Sequence, residues 1–419
     1  MFHQHRRRGM RNVLALLVLA HALCAQKPEW WVHQALRQNP TLAALQARWQ
    51  AASQRIVPGM TPADPMLMLG VANFPPGASL RSEPMGMLML GLGQMLAWPT
   101  IYTLRGEEAS AEARSIQLQQ HAYERWLRQQ VLSTLAQLWE TRRQQEFLRY
   151  TLELLARADS LVAQRIAVGA ASQRDFFRLQ QERSRLQADF LAERERERSL
   201  HASFLQLVGD ESADSSWEPV LPSIPDAIAP LPVLEQRLRS HPILEAARAD
   251  SLRAAAAVQL ARLWFLPEVT VKLQYAYRPA PMAPATTGTS LVSAGIELGL
   301  PLFSSRRQLP AVDERSWQLE ERRAELAARL LELHALLRQT YARWESLRDR
   351  ERLYRTQLLP QAEALLDATL APYQTGQADV DALLAAYLEL YQSHREWLRL
   401  RAELAQTVAS LEALCGTIM

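Results

Sequence analysis

The sequence predicts a mainly α-helical chain with a β-barrel portion, built as a tandem duplication of a strand hairpin followed by a long coiled-coil helical hairpin. Three observations predict it. Asn39-Pro40 and His241-Pro242 open matching segments at an offset of 202 residues, and Pro65/Pro267, Gly93/Gly295 and Pro99/Pro301 repeat that offset. Short segments that alternate apolar and polar residues follow each of these starts. Very long stretches dense in Leu, Ala, Glu, Arg and Gln then follow the strands, and these are strong helix formers.

Each copy carries the same order of elements. Asn39 is a candidate N-cap with Pro40 at the first helical position, and His241-Pro242 opens the equivalent helix. The strand is clearest in copy two, where Val269, Val271, Leu273, Tyr275 and Tyr277 alternate with Glu268, Thr270, Lys272, Gln274 and Ala276. The loops 279–289 and 75–84 reverse the chain, and Val292, Ala294, Ile296, Leu298 and Leu300 mark the return strand. A length of about 9–11 residues suits a tilted transmembrane β-strand. Four strands per chain cannot close a barrel, so a shared barrel in a trimer is the expected way to remove the edges.

Helix is expected from about 107 to 167, and again from about 312 to 373. Leu326, Leu330, Leu333, Leu337 and Trp344 form a heptad seam, as do Leu127, Val131, Leu135 and Leu138. Glycines 169 and 376 mark the turns, at an offset of 207, so the second long segment carries about five extra residues. Returning helices are expected over about 173–207 and 380–414. Residues 210–232, rich in Pro, Ser and Asp, read as a linker between a first repeat at 26–209 and a second at 233–419.

The leader sets the compartment. Arg6, Arg7, Arg8 and Arg11 precede an apolar run at 13–20, too short for a membrane-spanning helix, so residues 1–25 read as a signal peptide cleaved after Ala25. Cys24 raises a lipoprotein alternative, although Leu23 is a poor residue before a lipidated cysteine. Without the leader only Cys415 remains, which leaves no intrachain disulfide. The chain has 47 basic and 44 acidic residues, and the four leader arginines leave 43 against 44. A near-neutral mature chain gives no nucleic-acid footprint. Nucleophile elbows, phosphate loops and zinc signatures are absent from the sequence, so neither catalysis nor a cofactor is expected. The nine histidines show no metal-type spacing and read as solvated helix residues. The run Glu193–Arg198 reads as helix surface or inter-helix pairing.

Seven of the eleven methionines (60, 66, 68, 85, 87, 89 and 95) crowd into the first hairpin. The 202-residue offset aligns Met66 and Met68 with Glu268 and Thr270, and Met95 with Glu297. Met85, Met87 and Met89 share the parity of Met95, so all six are expected on the polar face, with Leu67, Leu69, Val71, Leu88, Leu90 and Leu92 opposite. Thioethers on a wet face suit transient contact with Cu(I) or Ag(I). The competing reading is that Met fills irregular space in a narrow barrel. Phe74, Trp98, Tyr102, Trp264, Phe265, Tyr275, Tyr277 and Phe303, near strand ends, fit interfacial girdles or strand–helix packing.

The helix starts at Asn39-Pro40 and His241-Pro242, the step Leu300-Pro301-Leu302-Phe303, and the segment from Tyr373 through Leu384 together resemble the TolC family of outer-membrane efflux proteins. The resemblance spans about 33–414. It implies a homotrimer with a 12-stranded barrel in outer-membrane lipid and an α-helical tunnel through the periplasm. It also implies two partners, a periplasmic adaptor and an inner-membrane pump of the resistance-nodulation-division type. By the same resemblance Val168, Gly169, Thr375 and Gly376 form the adaptor-docking tips. Family members often place carboxylates six and nine residues past the second glycine; here those positions are Ala382 and Ala385, with Asp175, Asp379 and Asp381 nearby as candidates for the entrance. Glu83-Pro84-Met85 and Gln94-Met95 before Trp98-Pro99 resemble the heavy-metal branch. The rival class is a pore-less periplasmic adaptor or scaffold, for which a single helical hairpin flanked by soluble β-domains is expected.

Overall fold

The computed structural model describes residues 27–73, 76–77, 85–167, 172–210, 217–278, 289–375 and 379–418. The leader with Cys24, the tip residues Val168, Gly169 and Gly376, part of the linker, and Phe74, Glu83 and Pro84 lie outside the described residues. The elements run α1 (Pro28–Gln38), α2 (Pro40–Ser53), α3 (Ile56–Met60), β1 (Met66–Ala72), β2 (Met87–Leu96), α4 (Pro99–Ala167) and α5 (Gln173–Val208). The second copy runs α6 (Leu231–Leu238), α7 (Pro242–Leu263), β3 (Glu268–Arg278), β4 (Thr289–Gly299), α8 (Gln308–Leu353), a π turn (Tyr354–Leu358), α9 (Leu359–Thr375) and α10 (Val380–Cys415). Element starts reproduce the duplication: Pro40/Pro242, Met66/Glu268 and Met87/Thr289 are each 202 apart, and Gln173/Val380 are 207 apart.

The described residues divide into two compact units, with boundaries at Ala44/Leu45, Gln119/Gln120, His241/Pro242 and Arg329/Leu330. Each unit draws matching segments from both repeats. The sheet unit, Leu45–Gln119 with Pro242–Arg329, holds one four-stranded antiparallel sheet in the order β1-β2-β3-β4. The repeats meet through the β2–β3 ladder, where Gly93 pairs with Lys272 and Gly91 with Gln274.

The helical unit is held by seams that the heptad pattern anticipates. Leu127, Val131, Leu135 and Leu138 are buried against Trp31, Val32 and Ala35 of α1, Phe204 and Val208 of α5, and Ala409 of α10. Further along α4, Leu148, Leu155 and Val162 step by seven and pack with Leu179 and Leu186 of α5, Leu366 and Tyr373 of α9, and Leu383, Tyr387 and Leu390 of α10. A step of seven returns a side chain to the same side of a gently supercoiled helix, so one stripe stays buried along the whole contact. In the second copy Leu333, Leu337 and Trp344 are buried. The two copies differ in continuity. α4 runs unbroken for 69 residues, about 100 Å at roughly 1.5 Å per residue. Its counterpart is interrupted by the π turn, in which the Leu359 N–H bonds to the Tyr354 carbonyl. Pro360 follows immediately and has no N–H to give, so the wider turn relieves the clash its ring would make with the carbonyl four residues back.

Asn39 serves as the cap that its position suggests. Its Oδ1 accepts from the N–H groups of Thr41 (3.0 Å) and Leu42 (3.2 Å), and its Nδ2 donates to the Leu207 carbonyl (3.0 Å). One side chain thereby starts α2 and satisfies an orphan carbonyl in the last turn of α5. Gly209 ends α5 at φ +77°, and a Cβ there would lie 2.7 Å from the Gln38 carbonyl oxygen. Both the left-handed backbone and the contact require glycine. Gly209→Ala is therefore expected to destabilise the helical unit by about 1–3 kcal/mol. A lower thermal midpoint by circular dichroism checks it, and an unchanged midpoint would refute the role.

Candidate functional site

Two features have the geometry of a working surface: the faces of the sheet and the tips of the helical hairpins. On one face of the sheet lie Leu67, Leu92 and Leu273 in one row, Leu69, Leu90, Tyr275 and Val292 in the next, and Leu96, Val269 and Leu298 in another. Among the described residues these side chains are left largely uncovered; Leu69 is 74% exposed, Val292 72% and Ile296 69%. An exposed apolar patch of this extent marks contact with lipid or another protein. Among the described residues no helix is long and apolar enough to cross a membrane.

The opposite face is mixed. Met68 pairs with Gly91, which pairs with Gln274; Met66 pairs with Gly93 and so with Lys272; Met95 pairs with Thr270 and Met89 with Ala276. Met66, Met68, Met87, Met89 and Met95 thus share the face of Thr270, Lys272, Gln274 and Glu297, as the sequence offset predicts. Met68 and Gln274 lean over Gly91, where a Cβ would come within 3.2 Å of the Met68 methyl. Lys272 and Glu297 form an ion pair on the same face. Met85 differs from expectation: it sits in a turn before β2 and outside the ladder, so strand parity assigns it no face. Among the described residues no group of three His, Cys, Asp or Glu side chains gathers as a metal ligand set. Where the strands give way to helix, the Trp98 indole donates to the Pro267 carbonyl (3.1 Å) and the Tyr102 hydroxyl accepts from the Ala97 N–H (3.1 Å).

At the tips, two of the three acidic candidates have structural partners that sequence reading missed. Asp175 and Ser172 form a reciprocal capping box at the start of α5, with bonds of 3.1 and 3.3 Å. Asp381 accepts from Arg178 at 2.5 Å, which joins α10 to α5. Asp379 occupies the N-cap position of α10 without a side-chain cap bond. Thr375 bonds back to the Pro372 carbonyl (3.1 Å), ending α9. Arg165 of α4 donates to the Tyr373 carbonyl (3.2 Å) and lies 5.2 Å over the Tyr373 ring, and burial pushes that phenol up from its ordinary value.

The outer membrane efflux protein family model matches residues 233–417. The match is confined to the second repeat. No curated protein sequence matches the chain. Among solved structures it resembles the outer-membrane channel OprN (TM-score 0.78, 15% identity), over 93% of this chain and 90% of that one. The outer membrane protein VceC of Vibrio cholerae gives a TM-score of 0.76 at 18% identity, over 93% of this chain and 96% of that one. The outer membrane channel CmeC of Campylobacter jejuni gives 0.76 at 13% identity, over 93% and 85%. What the chain shares with these structures is the fold.

Within the helical unit, charged side chains do the work of joining helices. Arg142 pairs with Glu197 (2.7 Å), Arg196 with Glu140 (3.3 Å), and Arg343 with Glu403 (3.1 Å). The run Glu193–Arg198 is thus partly inter-helix pairing. Burial pushes the Glu140 carboxyl up, and the Arg196 charge offsets only part of this. Burial also acts to raise Glu197, but hydrogen bonds from Gln145 and Arg142 outweigh it and leave the carboxyl below its usual range.

Two histidines correct the expectation of solvated imidazoles. His241 is buried before α7, and burial first, then the nearby Arg125 charge, lower its pKa to about 4, against a hydrogen bond to the Ala413 backbone. His394 stacks on Phe147 with centroids 3.8 Å apart and planes 8° off parallel, and burial lowers it to about 4 as well. Nothing in their spacing signals this, because the partners lie on other helices. Both fold as neutral rings. Their contribution to stability is full above the unfolded value near 6.5 and is lost as pH falls from there towards about 4. Glu140, Glu193 and Glu412, raised by burial, act in the opposite sense and favour the fold as pH falls. A His394→Phe variant isolates the imidazole. Its thermal midpoint should fall less than the wild type's between pH 7 and pH 4.5, and parallel curves would refute the neutral stack.

Proposed function

We propose that the chain is one subunit of a trimeric outer-membrane export duct, passive in itself and driven by a pump in the inner membrane. The observation that carries this reading is the two-faced open sheet. All four strands turn apolar side chains to one side, the other side carries Lys272, Glu297, Gln274 and the methionines, and the outer strands β1 and β4 each pair on one side only. In lipid an open strand edge leaves backbone groups unsatisfied at a cost of several kcal/mol each, so the sheet must close. Three copies of a four-stranded sheet supply twelve strands, within the even-numbered range of outer-membrane barrels. The helical unit extends into the periplasm, where the hairpin tips meet an adaptor. Chemistry on the cargo has no part in this role: the protein's work is to enclose a wet path.

The rival reading, a periplasmic scaffold without a pore, needs one helical hairpin and soluble β-domains; this chain has two hairpins and a sheet with an uncovered apolar face. Reconstitution of the purified protein in planar bilayers separates the two. Discrete conductance, and recovery from cells with outer-membrane material, are expected. Recovery with soluble periplasmic proteins and no conductance would sink the duct.

The arrangement of Met66, Met68, Met87, Met89 and Met95 supports soft cations such as Cu(I) or Ag(I) as cargo. Thioethers prefer soft monovalent ions, and single contacts spread along a strand release as readily as they bind. Changing these five residues together to Leu keeps volume and apolar character. Copper and silver tolerance of cells relying on this duct is expected to fall several-fold while the assembled protein persists. Unchanged tolerance would leave only the packing role of methionine.

A further inference from the structure

The duplication lets a contact inside the chain predict one between copies. In the sheet unit α4 follows β2 and α7 leads into β3, and these two strands are paired. The two helices pack together through Leu118 of α4 and Ala246 and Ala249 of α7, the alanines being only 4% and 5% exposed. The 202-residue offset relates Ala246 and Ala249 to Ala44 and Ala47 of α2. There both alanines are exposed, and so is Ala51. The three recur at helical spacing, on the side of α2 away from the buried Leu42 and Ala52. The same surface is thus covered in one copy of the repeat and bare in the other.

The counterpart of α4 is α8, and the offset relates Leu118 to Glu320. One turn before it, on the same side of α8, stands Trp317, which is 75% exposed, and the exposed Ala324 follows seven residues later. No other described tryptophan is as bare. A bare indole is a large apolar area, of the kind enriched where proteins meet. α8 follows β4, and α2 leads through α3 to β1; these are the two edge strands of the sheet. Pairing β4 with β1 of a second copy sets α8 beside that copy's α2, just as the β2–β3 ladder sets α4 beside α7. A lipid tail or an unrelated helix could also cover an indole, but neither accounts for the alanine ridge at the counterpart of a buried helix contact. We propose that Trp317 packs on the Ala47 and Ala51 ridge of α2 in a second copy of this chain, so that large side chain meets small. The inference rests on the trimer proposed above and names a contact that holds it together.

Ala47→Cys combined with Trp317→Cys in the full-length protein, treated with a short bis-maleimide, tests it. Covalent dimers and trimers are expected on denaturing gels, because the two linked positions lie in different copies. Each single variant should run as a monomer. So should Ala47→Cys with Leu252→Cys, since Leu252 is equally open to reagent but sits on α7, which leads to an inner strand. Trp317 covers little of its own chain, so Trp317→Ala should leave helix content unchanged while shortening the lifetime of the trimer in detergent roughly tenfold or more. A Trp317→Ala trimer as long-lived as the wild type overturns the contact, and so does a double-cysteine pair that links no better than the Leu252 control. Native mass spectrometry of the wild type reads the assembly separately. A monomer there refutes the trimer itself, whereas a trimer without the cross-link refutes only this contact.

Discussion

The antiparallel ladder between β2 and β3 is the constraint on which the rest depends. It joins the last strand of one repeat to the first strand of the next, with Leu92 opposite Leu273 and Gly93 opposite Lys272. Side chains alternate with a period of two, so a slip of one residue would turn every leucine of β2 towards the polar side and every methionine towards the apolar one. Gly91 lets the register stand where Met68 and Gln274 converge over the backbone. One ladder thereby decides the facing of four strands, which side chains form the apolar face, and which methionines line the other.

The helical unit solves a different problem. Its long helices are rich in charge, and each has only a narrow apolar stripe to bury. Heptad steps such as Leu148, Leu155 and Val162 keep that stripe aligned, while Arg–carboxylate pairs close the margins. Desolvation of carboxylates such as Glu140 offsets much of what these pairs gain, so the seams carry the stability and the pairs set register between helices. His394 on Phe147 extends the seam with a ring that stays apolar only while it is neutral. The second copy accommodates Pro360 through a π turn that the first copy lacks, so the two hairpins are related but not mechanically alike.

Duplication and compactness follow different divisions of this chain. The repeat runs along the sequence, whereas each compact unit combines matching segments from both copies. The strand hairpins pair with each other through the β2–β3 ladder, and the helical hairpins share buried seams. The family match on the second repeat and the channel-like fold over most of the chain belong to the same arrangement.

Sequence by itself determined what depends on local periodicity and on the offset between copies. The helix starts at Pro40 and Pro242, the four strands, the heptad seams and the shared face of Met66, Met68, Met87, Met89 and Met95 were all readable, because each rests on spacing within one segment or on comparison of two. Tertiary structure alone decided what depends on partners distant in sequence. Asp175 became a helix cap and Asp381 an ion-pair partner of Arg178, so neither is the free carboxylate that its position suggested. Met85 fell outside the ladder because the strand begins two residues later. His241 and His394 were buried by helices more than a hundred residues away. Burial and pairing are properties of surroundings, and surroundings exist only once the segments have met.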